Sequence, residues 1–167
     1  MQLTSYVTKG GIRITRSTRN RAYQPADTTL AEALDGRRGV LFSSSFEFPG
    51  RYTRWDMGFV DPPLAFTARG RRFSFDALNE RGRILLQPIL ESVDRLPSVR
   101  VSHGGSDRIF GEIEETDERF PEESRSRQPS VFSVLRRLIE LFGSAEDQHL
   151  GLYGAFGYDL VFQFEPL

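Results

Sequence analysis

The chain has 167 residues, enough to bury a real core in one domain without staples or metals. Its 22 basic and 23 acidic residues balance to a formal net charge of -1, so the whole chain carries no electrostatic footprint for nucleic acid or an anionic membrane. The absence of cysteine excludes disulfides, thiolate metal sites and cysteine nucleophiles, and 38% hydrophobic with 27% charged residues is an ordinary folded composition.

Residues 1–24 are polar and basic, and the start lacks the apolar run of a signal peptide. Tyr6, Ile12 and Ile14 alternate loosely between Thr4 and Thr18, which predicts one or two strands. Arg13, Arg16, Arg19 and Arg21 form a local basic cluster, either a solvated arm or a docking arm for an acidic surface. Residues 27–35, DTTLAEALD, predict a short helix. Asp27 or Thr28 stands at its cap, Leu30, Ala33 and Leu34 form its apolar face, and Gly36 is its stop.

Residues 39–48 predict a strand, followed by a turn at Pro49-Gly50-Arg51. Tyr52, Trp55 and Phe59 continue an extended segment as far as Asp61-Pro62-Pro63. A meander is expected over 64–87, with strands at Leu64–Ala68, Arg72–Ala77 and Arg83–Gln87 and turns at Arg69-Gly70 and Asn79–Gly82. Pro88 then fits the first turn of a helix that runs to Leu96. Val99–Ser102 reads as a short strand or a loop, His103–Ser106 as a turn, 107–119 as an acidic and weakly alternating stretch, and 120–129 as a surface loop. Residues 130–142, SVFSVLRRLIELF, carry the broad apolar stripe of a helix capped by Ser130 and ended by Gly143. The aromatic stretch LGLYGAFGYDLVFQF predicts a buried strand pair, or a strand and a bend. The fold class is α+β, a mainly antiparallel sheet with two or three helices.

Most chemical signatures are missing. Gly151–Gly157 spells GxxGxxG without the context of a nucleotide site, and no phosphate-binding GxxxxGK[ST] occurs. Ser43-Ser44-Ser45 lacks a nucleophile elbow and reads as a strand with small hydroxyls, or as a binding edge for a polar ligand. His103 suits an exposed turn and His149 a half-buried position. Glu112, Glu114, Glu115, Asp117 and Glu118 lack EF-hand spacing and read as a solvated edge. Arg51, Tyr52, Arg54 and Trp55 put guanidinium groups beside aromatic rings. That combination can clamp a carboxylate and stack on an apolar ring.

Two segments together resemble anthranilate synthase component I. VLFSSSFEFPGRYTRWDMGFVDPP is similar to the family's N-terminal region, where an LLES strand precedes an RYS-like element and a DP element. The counterparts are Leu41-Phe42-Ser43-Ser44, Arg51-Tyr52-Thr53 and Asp61-Pro62. GLYGAFGYDLVFQFEPL resembles the family's GxxGYxxYDxVRxFE segment, through Gly151, Gly154, Phe156, Gly157, Tyr158, Asp159, Leu160, Val161, Phe164 and Glu165. YVTKGGIRITR and RGRRFSFDALNERGRIL look like the form fused to its own glutamine amidotransferase.

The resemblance implies an enzyme that converts chorismate and glutamine-derived ammonia to anthranilate and pyruvate in tryptophan biosynthesis, a cytoplasmic lyase. Residues 1–167 would be its N-terminal regulatory domain, inactive alone. The chorismate-binding catalytic domain and its Mg2+ would lie outside this segment, as would the amidotransferase domain or subunit. No cofactor, nucleic acid or membrane is expected for the segment itself. The resemblance also implies a feedback pocket for L-tryptophan lined by Ser43, Ser44, Arg51, Tyr52 and Arg54. Ser44 takes the family serine's place and Ser43 the glutamate's. A serine offers a neutral hydrogen bond worth about 1 kcal/mol, where a charged group gives about 1.5–3. Weakened or altered inhibition is the expected consequence. The alternatives are the same segment of aminodeoxychorismate synthase, in folate synthesis, and a stand-alone binding module.

Overall fold

The structure is a computed structural model, and it describes residues 1–22, 28–44, 48, 50–51, 55–116 and 121–163. Eight strands and three α-helices are described. They are β1 (Gln2–Val7), β2 (Arg13–Thr18), α1 (Thr28–Gly36), β3 (Gly39–Ser44), β4 (Trp55–Val60), β5 (Leu64–Arg69), β6 (Arg72–Ala77), α2 (Glu80–Val93), β7 (Val99–His103), β8 (Arg108–Ile113) and α3 (Val131–Phe142). Every described strand pairing is antiparallel, so the α+β expectation holds.

The main sheet has the order β5-β6-β8-β7. Two hairpins build it, and α2 crosses over between β6 and β7. Strict alternation decides which side is buried. Phe73 and Phe75 of β6 and Ile109 and Ile113 of β8 face the helices, while Arg72, Arg108 and Glu112 face water. Leu86, Ile89 and Val93 of α2 lie on this face, and Val134, Leu138 and Leu141 of α3 complete the core. Each such side chain contributes about 1.5–3 kcal/mol on burial.

The third strand expected over Arg83–Gln87 does not form. Those residues belong to α2, which starts eight positions before Pro88. Asn79 stands at its cap, and the Gly82 N–H donates to the Asn79 side-chain oxygen at 3.2 Å. Asn79–Gly82 is therefore a helix start and not a hairpin turn. Pro88 lies inside the helix and removes one N–H from the ladder, which would otherwise cost about 3 kcal/mol. The orphaned carbonyl is that of Ile84, a residue 69% exposed, so water can reach that turn. The buried stripe of Leu86, Ile89 and Val93 holds the helix together across the break.

Two other expectations fail. Residues Glu122–Arg127 form a short 3-10 helix within the expected loop. The aromatic segment after α3 forms no strand among its described residues. It runs irregularly to a 3-10 helix at Tyr158–Gln163, with Phe156 68% and Tyr158 92% exposed. Among the described residues, Phe156 meets the Phe132 ring of α3, with centroids 5.6 Å apart. β8 (Arg108–Ile113) is a strand within the stretch read only as weakly alternating, and residues 45–47, 49 and 52–54 of the expected strand, turn and extended segment lie outside the described residues. α1 and α3 lie within a residue or two of their expected bounds, although Asp27 is outside the described residues.

The β1–β2 hairpin docks on the end of α3 by its turn. Thr8 Oγ1 and the Gly10 N–H both donate to the Leu141 carbonyl, at 2.8 and 3.1 Å, and the Lys9 N–H donates to the Gly143 carbonyl at 2.8 Å. These donors satisfy carbonyls that a helix end leaves without partners.

Candidate functional site

Ser43 and Ser44 close strand β3, whose register with β4 sets Ser43 opposite Asp56 and Ser44 opposite Trp55. Adjacent strand residues point to opposite faces. The two serines therefore do not share a wall. Gly39, Leu41, Ser43, Asp56 and Gly58 lie on the face toward α1, where the Leu30 and Leu34 methyls would stand 2.6 and 2.7 Å from a Cβ added at Gly58 and Gly39. Phe42, Ser44, Trp55, Met57 and Phe59 lie on the other face, against which the Tyr153 ring packs.

On the first face, the Ser43 hydroxyl donates to Asp56 Oδ1. Asp56 went unnoticed in the sequence, where it sits between an aromatic and a methionine. Only the strand register brings it to Ser43. A hydroxyl beside a carboxylate can receive an ammonium group, which a serine alone receives weakly.

Arg51 follows a turn in which its N–H donates to the Phe48 carbonyl at 2.9 Å, with Gly50 at φ 78°. Its guanidinium lies over the Phe48 ring, 5.7 Å from the centroid. This aromatic partner, Phe48, is not among the rings expected beside Arg51 from the sequence. Tyr52 and Arg54 lie outside the described residues, as do Phe164, Glu165 and Ser45. Trp55 is 49% exposed on β4.

The other candidates find ordinary partners. Arg16 of the basic cluster makes an internal ion pair of 2.5 Å with Asp147. His149 is exposed rather than half-buried. Glu114 and Glu115 pair with Arg100 and Arg71 at 2.5 and 3.6 Å. Asp117 and Glu118 lie outside the described residues. Among the described residues, no group of three or more acidic or histidine side chains is placed to hold a metal ion. Nor, among them, is any helix long and apolar enough to cross a membrane.

Burial and a hydrogen bond to Asp147 push the Tyr6 hydroxyl up to about 12. Burial of Asp147 pushes its carboxyl upward. Hydrogen bonds from Tyr6 and the His149 N–H, together with the Arg16 charge, outweigh that and hold it below the usual carboxylate value. Asp61 is likewise held low, chiefly by the Arg37 guanidinium.

No family model and no solved structure matches this chain. Curated proteins do. It is 46% identical over 97% of its length to the anthranilate synthase of Azospirillum brasilense. It is 33% identical over 87% to anthranilate synthase component 1 of Serratia marcescens. It is 30% identical over 84% to the pyocyanine-specific anthranilate synthase component 1 of Pseudomonas aeruginosa. The matches cover 22%, 28% and 26% of those relatives, so the chain spans under a third of their length. The chain is a homologue of anthranilate synthase component 1, matching a segment of it consistent with an N-terminal one.

Proposed function

We propose that residues 1–167 are the regulatory N-terminal domain of an anthranilate synthase. The whole enzyme would convert chorismate and glutamine-derived ammonia to anthranilate, pyruvate and glutamate in the cytoplasm, as a lyase of tryptophan biosynthesis. The observation that carries this reading is the 46% identity over 97% of the chain. The chorismate-binding domain, its Mg2+ and the glutamine amidotransferase belong to other parts of the enzyme or to a partner subunit. The segment alone is inactive in this reading.

The role of the segment is to bind L-tryptophan at the β3–β4 ribbon. Ser43 stands where the resemblance has a glutamate, and Asp56 lies directly across from it. The carboxylate for the ligand's ammonium then comes from β4 instead of β3. Arg51, with Tyr52 and Arg54, is assigned to the carboxylate end of the ligand. Ser44 and Trp55 line the opposite face.

Calorimetry on the intact protein tests this, with L-tryptophan and with indole-3-propionate, which lacks the ammonium. The Asp56→Asn protein should lose at least about tenfold in affinity for tryptophan and keep its affinity for indole-3-propionate. Equal loss for both ligands would remove Asp56 from the ammonium site. Absence of any tryptophan binding to the unaltered protein would remove the regulatory reading.

A further inference from the structure

Residues 28–60 stand apart from the core. Helix α1 covers one face of the β3–β4 ribbon with Leu30 and Leu34. Yet among the described residues none from 28 to 60 belongs to the buried cluster or to the apolar side chains packed on it. A two-stranded ribbon is marginal by itself. Its orientation must be set by contacts with the rest of the molecule.

One set of contacts is a joint. β4 runs into β5 through Asp61, which has φ 52°, a left-handed conformation that a residue with a Cβ rarely adopts. The Asp61 N–H donates to the Arg38 carbonyl at 2.8 Å, and Arg37 pairs with its carboxylate. From the other side, Arg81 of α2 donates to the Asp61 carbonyl at 3.1 Å, and Asn79 donates to the Pro62 carbonyl at 3.2 Å. An open depression of about 490 Å³ lies at this joint, between Arg38 and the start of α2.

Among the described residues, an aromatic ring also packs on the ribbon. Tyr153 packs on the ribbon face opposite α1, its centroid 5.4 Å from that of Phe59 and 6.5 Å from that of Phe42. Its hydroxyl donates to the His149 carbonyl at 2.7 Å. The His149 N–H donates to Asp147 Oδ1 at 3.0 Å. Asp147 is buried and held by Tyr6 and Arg16 of the β1–β2 hairpin. The ring on the ribbon is thus anchored, through a few bonds, in the hairpin that plugs α3.

We propose that Tyr153 is a positioning residue: its ring clamps the β3–β4 ribbon against the body of the molecule, and the Asp61 joint is the hinge about which the ribbon turns when the clamp is lost. The clamp itself does not depend on what the ribbon binds. Its consequence for regulation rests on the tryptophan reading above, because Phe42 adjoins Ser43 and Ser44.

Hydrogen exchange on the intact protein tests the clamp. In Tyr153→Ala, amides of 39–44 and 55–60 should exchange at least about fivefold faster, with α2, α3 and β5–β8 unchanged. Tyr153→Phe keeps the ring and loses an exposed hydrogen bond, so it should restore the ribbon to within about twofold. An unchanged ribbon in Tyr153→Ala would overturn the proposal. So would faster exchange spread evenly over α2 and α3, or a Tyr153→Phe protein as loose as Tyr153→Ala. Adding L-tryptophan to the unaltered protein separates the two readings. If the ribbon amides do not slow while the alanine and phenylalanine variants behave as described, the effector reading fails and the clamp stands.

Discussion

The Tyr6 hydroxyl donates a 2.7 Å hydrogen bond to the Asp147 carboxylate, joining β1 to the segment that follows α3. Both residues are 6% exposed, and Arg16 adds its charge to the same carboxylate. Removing the Asp147 carboxylate leaves the buried Tyr6 hydroxyl without this acceptor, which costs more than the bond itself.

Stability should therefore fall at both ends of the pH scale. The Asp147 carboxyl titrates lower in the folded state than in the unfolded chain, where its value is about 3.9. Its contribution is present above that value and is lost as the pH falls through the folded one. Tyr6 titrates higher when folded, at about 12 against 10.0. Its contribution is complete below pH 10 and is lost as the pH rises toward 12, by roughly 2–3 kcal/mol. Urea unfolding from pH 7 to 11.5 should show this alkaline loss in the native protein and not in Tyr6→Phe. An equal loss in both would clear Tyr6 of the effect.

Gly10→Ala should destabilise the hairpin dock. A Cβ there would stand 2.5 Å from the Leu141 carbonyl oxygen and 2.9 Å from its Cα, both backbone atoms. Backbone cannot swing aside as a side-chain tip does. The expected cost is about 1–3 kcal/mol, read as a lower urea midpoint with an unchanged slope.

Leu138→Ala should remove about 2–5 kcal/mol, because Leu138 is 2% exposed in the α3 stripe. Ile139→Ala on the same helix should change stability by less than about 0.5 kcal/mol, since Ile139 is 61% exposed. Thermal unfolding of the pair checks the assignment of the two faces. Similar losses in both would mean that another surface covers Ile139.

Ser44→Phe should weaken L-tryptophan binding at least about tenfold if Ser44 belongs to the effector site. Calorimetry reads this directly. Unchanged affinity would confine the site to the Ser43–Asp56 face.

Much of the molecule was legible in the chain order of its residues. The first hairpin of the main sheet announces itself by alternation and by the Gly70 turn, while of the second only the turn around Gly105 was legible; both glycines take positive φ. Helix α3 announces itself by its stripe. These signals are local, because a strand's period of two and a helix's period of 3.6 reside in neighbouring residues. The paired segments around 41–62 and 151–165 also sufficed to point to the family.

Tertiary structure decided what depends on distant residues. Arg83–Gln87 could alternate as a strand, but the Asn79 cap and the waiting apolar face of the sheet made it a helix through Pro88. The aromatic run after α3 has strand chemistry, yet a strand requires a neighbour to hydrogen-bond with. Among the described residues it has none, and it spends Tyr153 on the ribbon instead. Ser43 and Ser44 are adjacent in sequence, but the pleat sends them to opposite faces and gives Ser43 the carboxylate of Asp56. Sequence neighbours determine an element's period. Only the packed chain determines which partner each face meets.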